Sequence, residues 1–524
     1  MITPTNILSC LHHRHRALLG LSLAEAAVLL AALAVGVFFR TARLAGLGFY
    51  WDETYATHAA IGLMNGEPLK YTRALLPVTL PVLLAFETLS VSWTTARLPM
   101  LLLNLLGALP LWFVAKRFGR AAAVVAVCLY LTNPFIIAVG RTVREYAVMP
   151  GFYYLVLLCA LNLAADAGPS LRDVARRQWP SLLGVLALAA YCLLVDLRSN
   201  FVLSMVFVLL AAVVLLARQV ARTRNPAWAL GPLALFLGGG ALLAWRFYAL
   251  QQIDGQALKL GFSPTYLANL VGSASQHNYW LAQVGYAVLA GVLALVWLHA
   301  IRRPVGGLGS ATLRDAALVG WGLLLILLAI SLLYGNGIYP ARPRYGILVE
   351  ILLPLMIAIL LEAGLGWLPA GAARWRQPLR VAIVLVLFVN PVGLREVYRY
   401  QKGAEFSVTG DYHFDPYASH AYLAKAMQAG EPLVTDRFYW LTDEMLGNQW
   451  PRVAWVNITP LADAGPAEIG SVLPDAPHGW VALYPSTKIE IDRYFKPKDF
   501  TSGNKRFHFY GKMGDVRVWD WSLR

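Results

Sequence analysis

Apolar residues run in long blocks through most of the chain, and charged residues collect in short clusters between the blocks. A helix needs roughly 17 to 25 such residues to cross a bilayer. The pattern places spans near residues 18–39, 97–115, 121–139, 150–167, 181–197, 200–217, 228–246, 281–299, 315–334, 345–363 and 380–396. That is about eleven spans. The basic clusters between them are His12 to Arg16, Lys116-Arg117 with Arg120, Arg172 with Arg176-Arg177, Arg218 with Arg222 and Arg224, Arg302-Arg303 with Arg314, and Arg374 with Arg376 and Arg380. With this span count they all fall on one side, which the positive-inside rule makes cytoplasmic. The N-terminus is then cytoplasmic and the C-terminal tail lies outside.

The segment Ala74 to Ser92 is also apolar, but Pro77, Pro81 and Glu87 interrupt it, and a span there would break the charge alternation. It reads as an interfacial or re-entrant helix inside a first external loop over residues 40–96. LHHRHRALLG before the first block resembles a signal peptide in its charge, and Ala32-Leu33-Ala34 imitates a cleavage site. The apolar core is too long for that role, so an uncleaved first span is expected. After Tyr400 the pattern shortens to strand-like runs, PLVTDRFYWL, RVAWVNI, GWVALYP and VRVWDW. The expected fold class is an α-helical polytopic membrane protein over residues 1–400, followed by a small external α/β domain over residues 401–524.

Composition agrees: 58% of the 524 residues are hydrophobic and 14% are charged, well outside the range of a soluble domain. The formal charge of +15 does not indicate a nucleic-acid partner, because the arginines punctuate apolar runs and form no basic face. The cysteines, Cys10, Cys128, Cys159 and Cys192, have no paired spacing and point to neither a disulfide nor a zinc site. His58, His277, His413 and His420 show no metal-ligand spacing. In the tail, Tyr439, Trp440, Trp480 and Trp519 suit a small core better than a sugar-stacking surface. The tail carries no glycine motif of the nucleotide-binding type.

The chemistry concentrates just past the first span, at Trp51-Asp52-Glu53. A short helical pattern, ETYATHAAIGLMNG, follows and stops at Asn65-Gly66 and Pro68. One reading makes Asp52 an N-cap with Glu53 in the first turn, where the helix dipole favours it. The other makes the pair part of a reaction centre. The two are compatible, since a carboxylate held at a helix start is also fixed for chemistry. On the same expected outer face lie Arg141, Arg144, Glu145 and Tyr146 in GRTVREYAVMPG, Asp196 and Arg198 in VDLRSN, and Arg342, Arg344 and Tyr345 in YPARPRYG, with Lys70 and Arg73 in the first loop. Each arginine alone suits an interfacial anchor. Together with a carboxylate they suit a site for a lipid phosphate beside a base, because a guanidinium donates two parallel hydrogen bonds to phosphate.

The order WDETYA, ARLPMLLLNLLGALPLWFVAKRFG, NPFIIAVGRTVREYAVM, PARPRYGILVEILLPL resembles the membrane-embedded glycosyltransferases of the GT-C class, in particular bacterial relatives of protein O-mannosyltransferases and of lipid A aminoarabinose transferases. The resemblance covers residues 15 to 400 and is most detailed in the first 160. It implies a transferase on the outer face of the inner membrane that takes a sugar from a polyprenyl-phosphate carrier and passes it to a lipid, glycan or protein acceptor. It also implies that Asp52 is catalytic with Glu53 as its neighbour, that Glu145 is the acidic residue of the second external loop, and that the phosphate is bound by residues among Lys70, Arg73, Arg141, Arg144, Arg342, Arg344 and Tyr345. The chain lacks the DxD-type motif of oligosaccharyltransferases, having Arg-Glu-Tyr there, so no cofactor is expected and a divalent cation is not supported.

Elementary chemistry leads to the same division of labour. A sugar leaving on phosphate needs no protonated acid, so a single base suffices and the displacement inverts the anomeric centre. Two other classes compete, a transporter or flippase and an O-antigen polymerase or ligase. A transporter should show repeated halves, and a polymerase or ligase should carry its main site in a later external loop.

Overall fold

The computed structural model describes residues 21–42, 44, 53–68, 75–165, 170–192, 203–225, parts of 227–245, 263–266, 284–300, 310–334, 347–376, 378–382, positions scattered between 394 and 435, and 473–483, 495, 498–514 and 516–524. The chain divides into two compact units. The first comprises residues 1–42, 73–78 and 100–398, and the second residues 43–72, 79–99 and 399–524.

In the first unit the apolar blocks are helices, as their length requires. They are α1 (Leu23–Thr41), then α4 (Trp93–Leu106) running on through Gly107 into α5 (Ala108–Lys116), α6 (Arg120–Thr132), α7 (Pro134–Gly140), α8 (Glu145–Ala165), α9 (Leu171–Arg177), α10 (Trp179–Ala190), α11 (Met205–Thr223), α12 (Val284–Ala300), α13 (Ser310–Tyr334) and α14 (Ile347–Gly366). The intervening α2 (Glu53–Met64) and α3 (Leu80–Thr88) belong to the first loop. Among the described residues, six helices are long and apolar enough to cross a membrane, and α6 with α7 is an apolar pair bent by 58°, a geometry of broken spans and of re-entrant loops alike. Shorter apolar helices occupy the positions expected for the 181–197 and 281–299 spans. Most of 380–396 and part of 228–246 lie outside the described residues.

Polar groups inside this unit do specific work. Ser22 and Glu25 close a reciprocal capping box at the start of α1. Arg117 donates to Asp315 at 2.9 Å and to Asn162 at 2.9 Å, while Arg314 reaches the other Asp315 oxygen at 2.8 Å. One of the arginines that mark topology in the sequence, Arg117, therefore also ties the end of α5 to α8 and α13, and Arg314 holds the shared Asp315 from within α13. Gly36 lets α1 approach α6 closely, because a Cβ there would lie 2.7 Å from the Leu131 carbonyl oxygen and 3.1 Å from Arg40 Nη1. Gly36→Ala gains about 1 kcal/mol of helix propensity. It loses more, about 1–3 kcal/mol from overpacking and part of the Arg40 bond to Leu131. The expected result is a lower thermal midpoint in detergent; an unchanged or raised midpoint would contradict this packing.

In the second unit, α2 packs on α3, which follows a π-helical turn at Leu75–Thr79. The apolar segment expected as an interfacial helix is thus helical. The tail forms a two-stranded pair, β1 (Glu405–Phe406) with β2 (Asp411–Tyr412), and a five-stranded sheet ordered β3-β4-β7-β6-β5. Its strands are β3 (Leu433–Thr435), β4 (His478–Leu483), β5 (Phe500–Ser502), β6 (Lys505–Met513) and β7 (Val516–Leu523), with β3 and β4 parallel and the rest antiparallel. Gly503 and Gly514 adopt φ of 59° and 62° at the two hairpin turns, where the strand twist calls for positive φ. One face buries Val481, Phe507, Trp519 and Trp521, and the other buries Trp480, Ala482 and Val518 under Leu423 of α15 (Tyr417–Ala426). Trp480 and Trp519 are core residues, as expected; Tyr439 and Trp440 lie outside the described residues. Two faces covered around a central strand explain why the tail sequence reads as short apolar runs.

Beyond the end of α15, Glu431 accepts from Trp480 Nε1 at 2.8 Å, and His478 lies between Glu431 (2.8 Å) and Asp520 (3.2 Å). Burial pushes the Glu431 carboxyl up, but hydrogen bonds from Gln428, Trp480 and His478 outweigh it and leave the group below its ordinary value of 4.5. A depressed carboxylate stabilises the fold above its ordinary value, and that contribution fades as pH falls through and below about 4.5. Protease resistance of the tail in the full-length protein should therefore drop as pH falls from about 5 to about 3, and less steeply in Glu431→Gln. Equal pH slopes for the two proteins would rule out Glu431 as the source.

Candidate functional site

Helix α2 starts at Glu53, so this carboxylate stands in the first turn of a helix, where unpaired N–H groups favour negative charge. Asp52 lies one position earlier and outside the described residues. Glu53 is fully buried and paired with fully buried Arg97 of α4: Nε donates to Oε1 at 3.3 Å and Nη2 to Oε2 at 3.2 Å. Arg97 Nη1 also donates to the Leu44 carbonyl at 3.1 Å, and its guanidinium carbon lies 6.0 Å from the Trp93 ring centroid. A fork-to-fork pair of this kind fixes both distance and plane. It clamps the first turn of α2, and Leu44, onto the same helix. Thr57 closes that turn further by donating to the Glu53 carbonyl at 3.0 Å. Glu53, a catalytic candidate from sequence, is thereby seen to hold the acidic loop in place.

In the first unit, Arg141, Arg144 and Glu145 come together in the turn between α7 and α8. Arg141 is buried and donates through Nη2 to the Ala42 carbonyl at 2.7 Å, joining this turn to the end of α1. Arg144 is also buried, pairs with Glu145 at 3.3 Å and lies 4.5 Å over the Tyr146 ring. Glu145 stays partly exposed, with 14% of its side chain accessible, so of the two described acidic candidates it is the one open to a ligand. The turn is rigidly joined to α7, since the Arg141 and Thr142 amides donate to Ala138 and Val139 carbonyls. Lys70, Arg73, Arg342, Arg344 and Tyr345 lie outside the described residues, as do Asp196 and Arg198.

Four residues of this unit were not singled out in the sequence. Arg40, fully buried, donates to Asn104 Oδ1 at 2.9 Å and to the Leu131 carbonyl at 2.8 Å. Asn104 passes the connection on, donating to the Ala147 carbonyl at 3.0 Å in the first turn of α8. Asn133 and Glu350, both buried, meet at 3.0 Å where α6 breaks into α7. Asn104 and Glu350 are each a single polar side chain within an apolar run, which is the signal that would have found them, because hydrocarbon tolerates such groups only with partners; Arg40 and Asn133 stand beside other polar residues at the ends of such runs.

No protein-family profile matches the chain, and no curated protein matches it. Among solved structures, it is similar to ArnT from Cupriavidus metallidurans. The apo-state structure aligns with a TM-score of 0.52 at 15% identity, covering 95% of this chain and 98% of that one. The structure bound to undecaprenyl phosphate aligns at 0.53 and 16% identity, covering 94% and 97%. The Archaeoglobus fulgidus oligosaccharyltransferase, in complex with Zn and sulfate, aligns at 0.49 and 13% identity over 89% of this chain and 68% of that one. The fold is GT-C-like, as the order of motifs implied, and the chain is a multi-pass membrane protein.

Proposed function

We propose that the protein is a membrane glycosyltransferase that moves a sugar from a polyprenyl-phosphate carrier to a hydroxyl or amine acceptor on the outer face of the inner membrane. The observation that supports this most is the end-to-end likeness to the ArnT structure that holds undecaprenyl phosphate. It is joined by the clamped acidic helix start at Glu53 and the buried arginine turn at 141–144.

In this reading Asp52 is the base. The acceptor oxygen or nitrogen attacks the anomeric carbon from the face opposite the phosphate, Asp52 takes its proton, and the bond from anomeric carbon to phosphate oxygen breaks. The electron pair leaves on the polyprenyl phosphate, where guanidiniums offset the added negative charge. One displacement inverts the sugar configuration. Arg141 and Arg144, with Lys70, Arg73, Arg342, Arg344 and Tyr345, are the candidates for holding the carrier phosphate. Glu53 positions Asp52 through Arg97, and Glu145 orients the acceptor. The acceptor is a lipid A, lipopolysaccharide, other glycan or protein group, and the chemistry requires no metal.

The test is native mass spectrometry of the protein in lipid nanodiscs with added undecaprenyl phosphate. Retention of one carrier molecule against a large excess of inorganic phosphate is expected. No retention, or equal displacement by inorganic phosphate, would argue against a lipid-linked donor.

A further inference from the structure

The bend between α6 and α7 is held from two other helices. Pro134 has no N–H, and the amides of Phe135 and Ile136 donate instead to Asn133 Oδ1, at 2.8 and 3.1 Å. These are the amides that would otherwise have continued α6 to the Leu131 and Thr132 carbonyls. Arg40 of α1 takes up the released Leu131 carbonyl at 2.8 Å. With Asn133 Oδ1 occupied by the cap, its Nδ2 must point elsewhere, and it donates to Glu350 Oε2 of α14 at 3.0 Å. Glu350 is fully buried, and its Oε1 is a buried oxygen with no hydrogen-bond partner among the described residues. Its neighbour Ile351 accepts through its carbonyl from Tyr154 of α8. A carboxyl in such a place, bonded to the side chain that caps α7, does more than fill space.

We infer that the Asn133–Glu350 bond is a latch that fixes α7 against α14 and so sets the Arg141–Glu145 turn, making Glu350 a positioning residue. This rests on the reading that the turn serves carrier binding. The turn must follow α7, because its own amides are bonded to the last carbonyls of that helix. A guanidinium moved out of reach of its ligand forfeits a charge-assisted hydrogen bond, roughly a tenfold or greater loss of affinity, so loss of the latch should be visible in binding and not only in stability.

The chemistry allows cap and latch to be separated. Asn133→Asp keeps an N-cap oxygen but removes the donor and sets two carboxyls against each other. Glu350→Leu removes the acceptor. Glu350→Gln retains an acceptor for the Asn133 amide. In the N133D/E350Q double variant the carboxamide donates to the carboxylate, restoring the bond with its direction reversed. Each protein is placed in nanodiscs, and two quantities are measured: hydrogen exchange of residues 134–145, and retention of undecaprenyl phosphate by native mass spectrometry.

The expected result is faster exchange confined to 134–145 and about tenfold or greater loss of carrier affinity in E350L and N133D. E350Q and the double variant should lie near wild type in both. Unchanged exchange in E350L, or no rescue in the double variant, would overturn the latch. Faster exchange with wild-type affinity would overturn the positioning role. Should E350L fail to fold, the comparison of N133D with the double variant decides the matter. Should the wild-type protein bind no carrier, the functional reading fails, and the exchange measurement still decides whether the latch exists.

Discussion

Replacing Asp52 with Asn is expected to abolish sugar transfer while leaving the protein folded and its carrier affinity within a few-fold of wild type. The substitution removes the proton acceptor and little else. Asparagine is as good an N-cap as aspartate, so a capping role at this position would survive the substitution. The clamp between Glu53 and Arg97 is untouched, since it lies one residue further on. General base catalysis contributes about 10²- to 10⁴-fold to a rate, and a loss of that size separates chemistry from folding. Wild-type transfer by the variant would eliminate Asp52 as the base. Loss of transfer together with loss of expression would instead show that capping, not proton transfer, is what Asp52 supplies.

Removing the guanidinium of Arg97 is expected to have the largest effect on stability. Arg97→Leu removes both guanidinium hydrogen bonds to the fully buried Glu53 carboxylate, and breaking such a pair from one side costs about 3–5 kcal/mol. Replacing both members is different in kind, because an apolar pair of similar volume is often as stable as the ions it replaces. The R97L/E53L double variant should therefore recover most of the lost thermal stability. It also assigns the role of Glu53. If Glu53 acts only by holding the start of α2, transfer should return to within about tenfold of wild type, or 1.4 kcal/mol of barrier. A stable but inactive double variant would make Glu53 a participant in the reaction.

Much of the architecture was legible because membrane spans are read from length and polarity, and these survive without knowledge of contacts. The blocks at 18–39, 97–115, 150–167, 315–334 and 345–363 each correspond to a helix long enough to cross. The stop of α2 was readable from Asn65-Gly66, where Gly66 takes a φ of 75°. What could not be read was pairing across distance. Arg97 lies 44 residues from Glu53, inside a motif whose pattern says only that a helix begins, so the acidic pair looked like two candidates for one role. The break at Asn133-Pro134 carries a turn signal, but an apolar run on both sides hides it. Strand β6, KRFHFYGKM, was passed over because charges alternate with its apolar residues and a bulge at Tyr510 shifts the alternation. The arginines of the 141–144 turn were visible as cations; that each is anchored, to Ala42 or to Glu145, became visible only in the fold.

The most direct test of the central claim is comparative mass spectrometry of lipid A, lipopolysaccharide core and envelope proteins from cells lacking this chain, cells carrying it, and cells carrying the Asp52→Asn variant at equal expression. The account predicts one hexose, pentose or aminosugar present only with the wild-type chain and missing from the other two. An identical envelope in all three, or full modification by the variant, would contradict it.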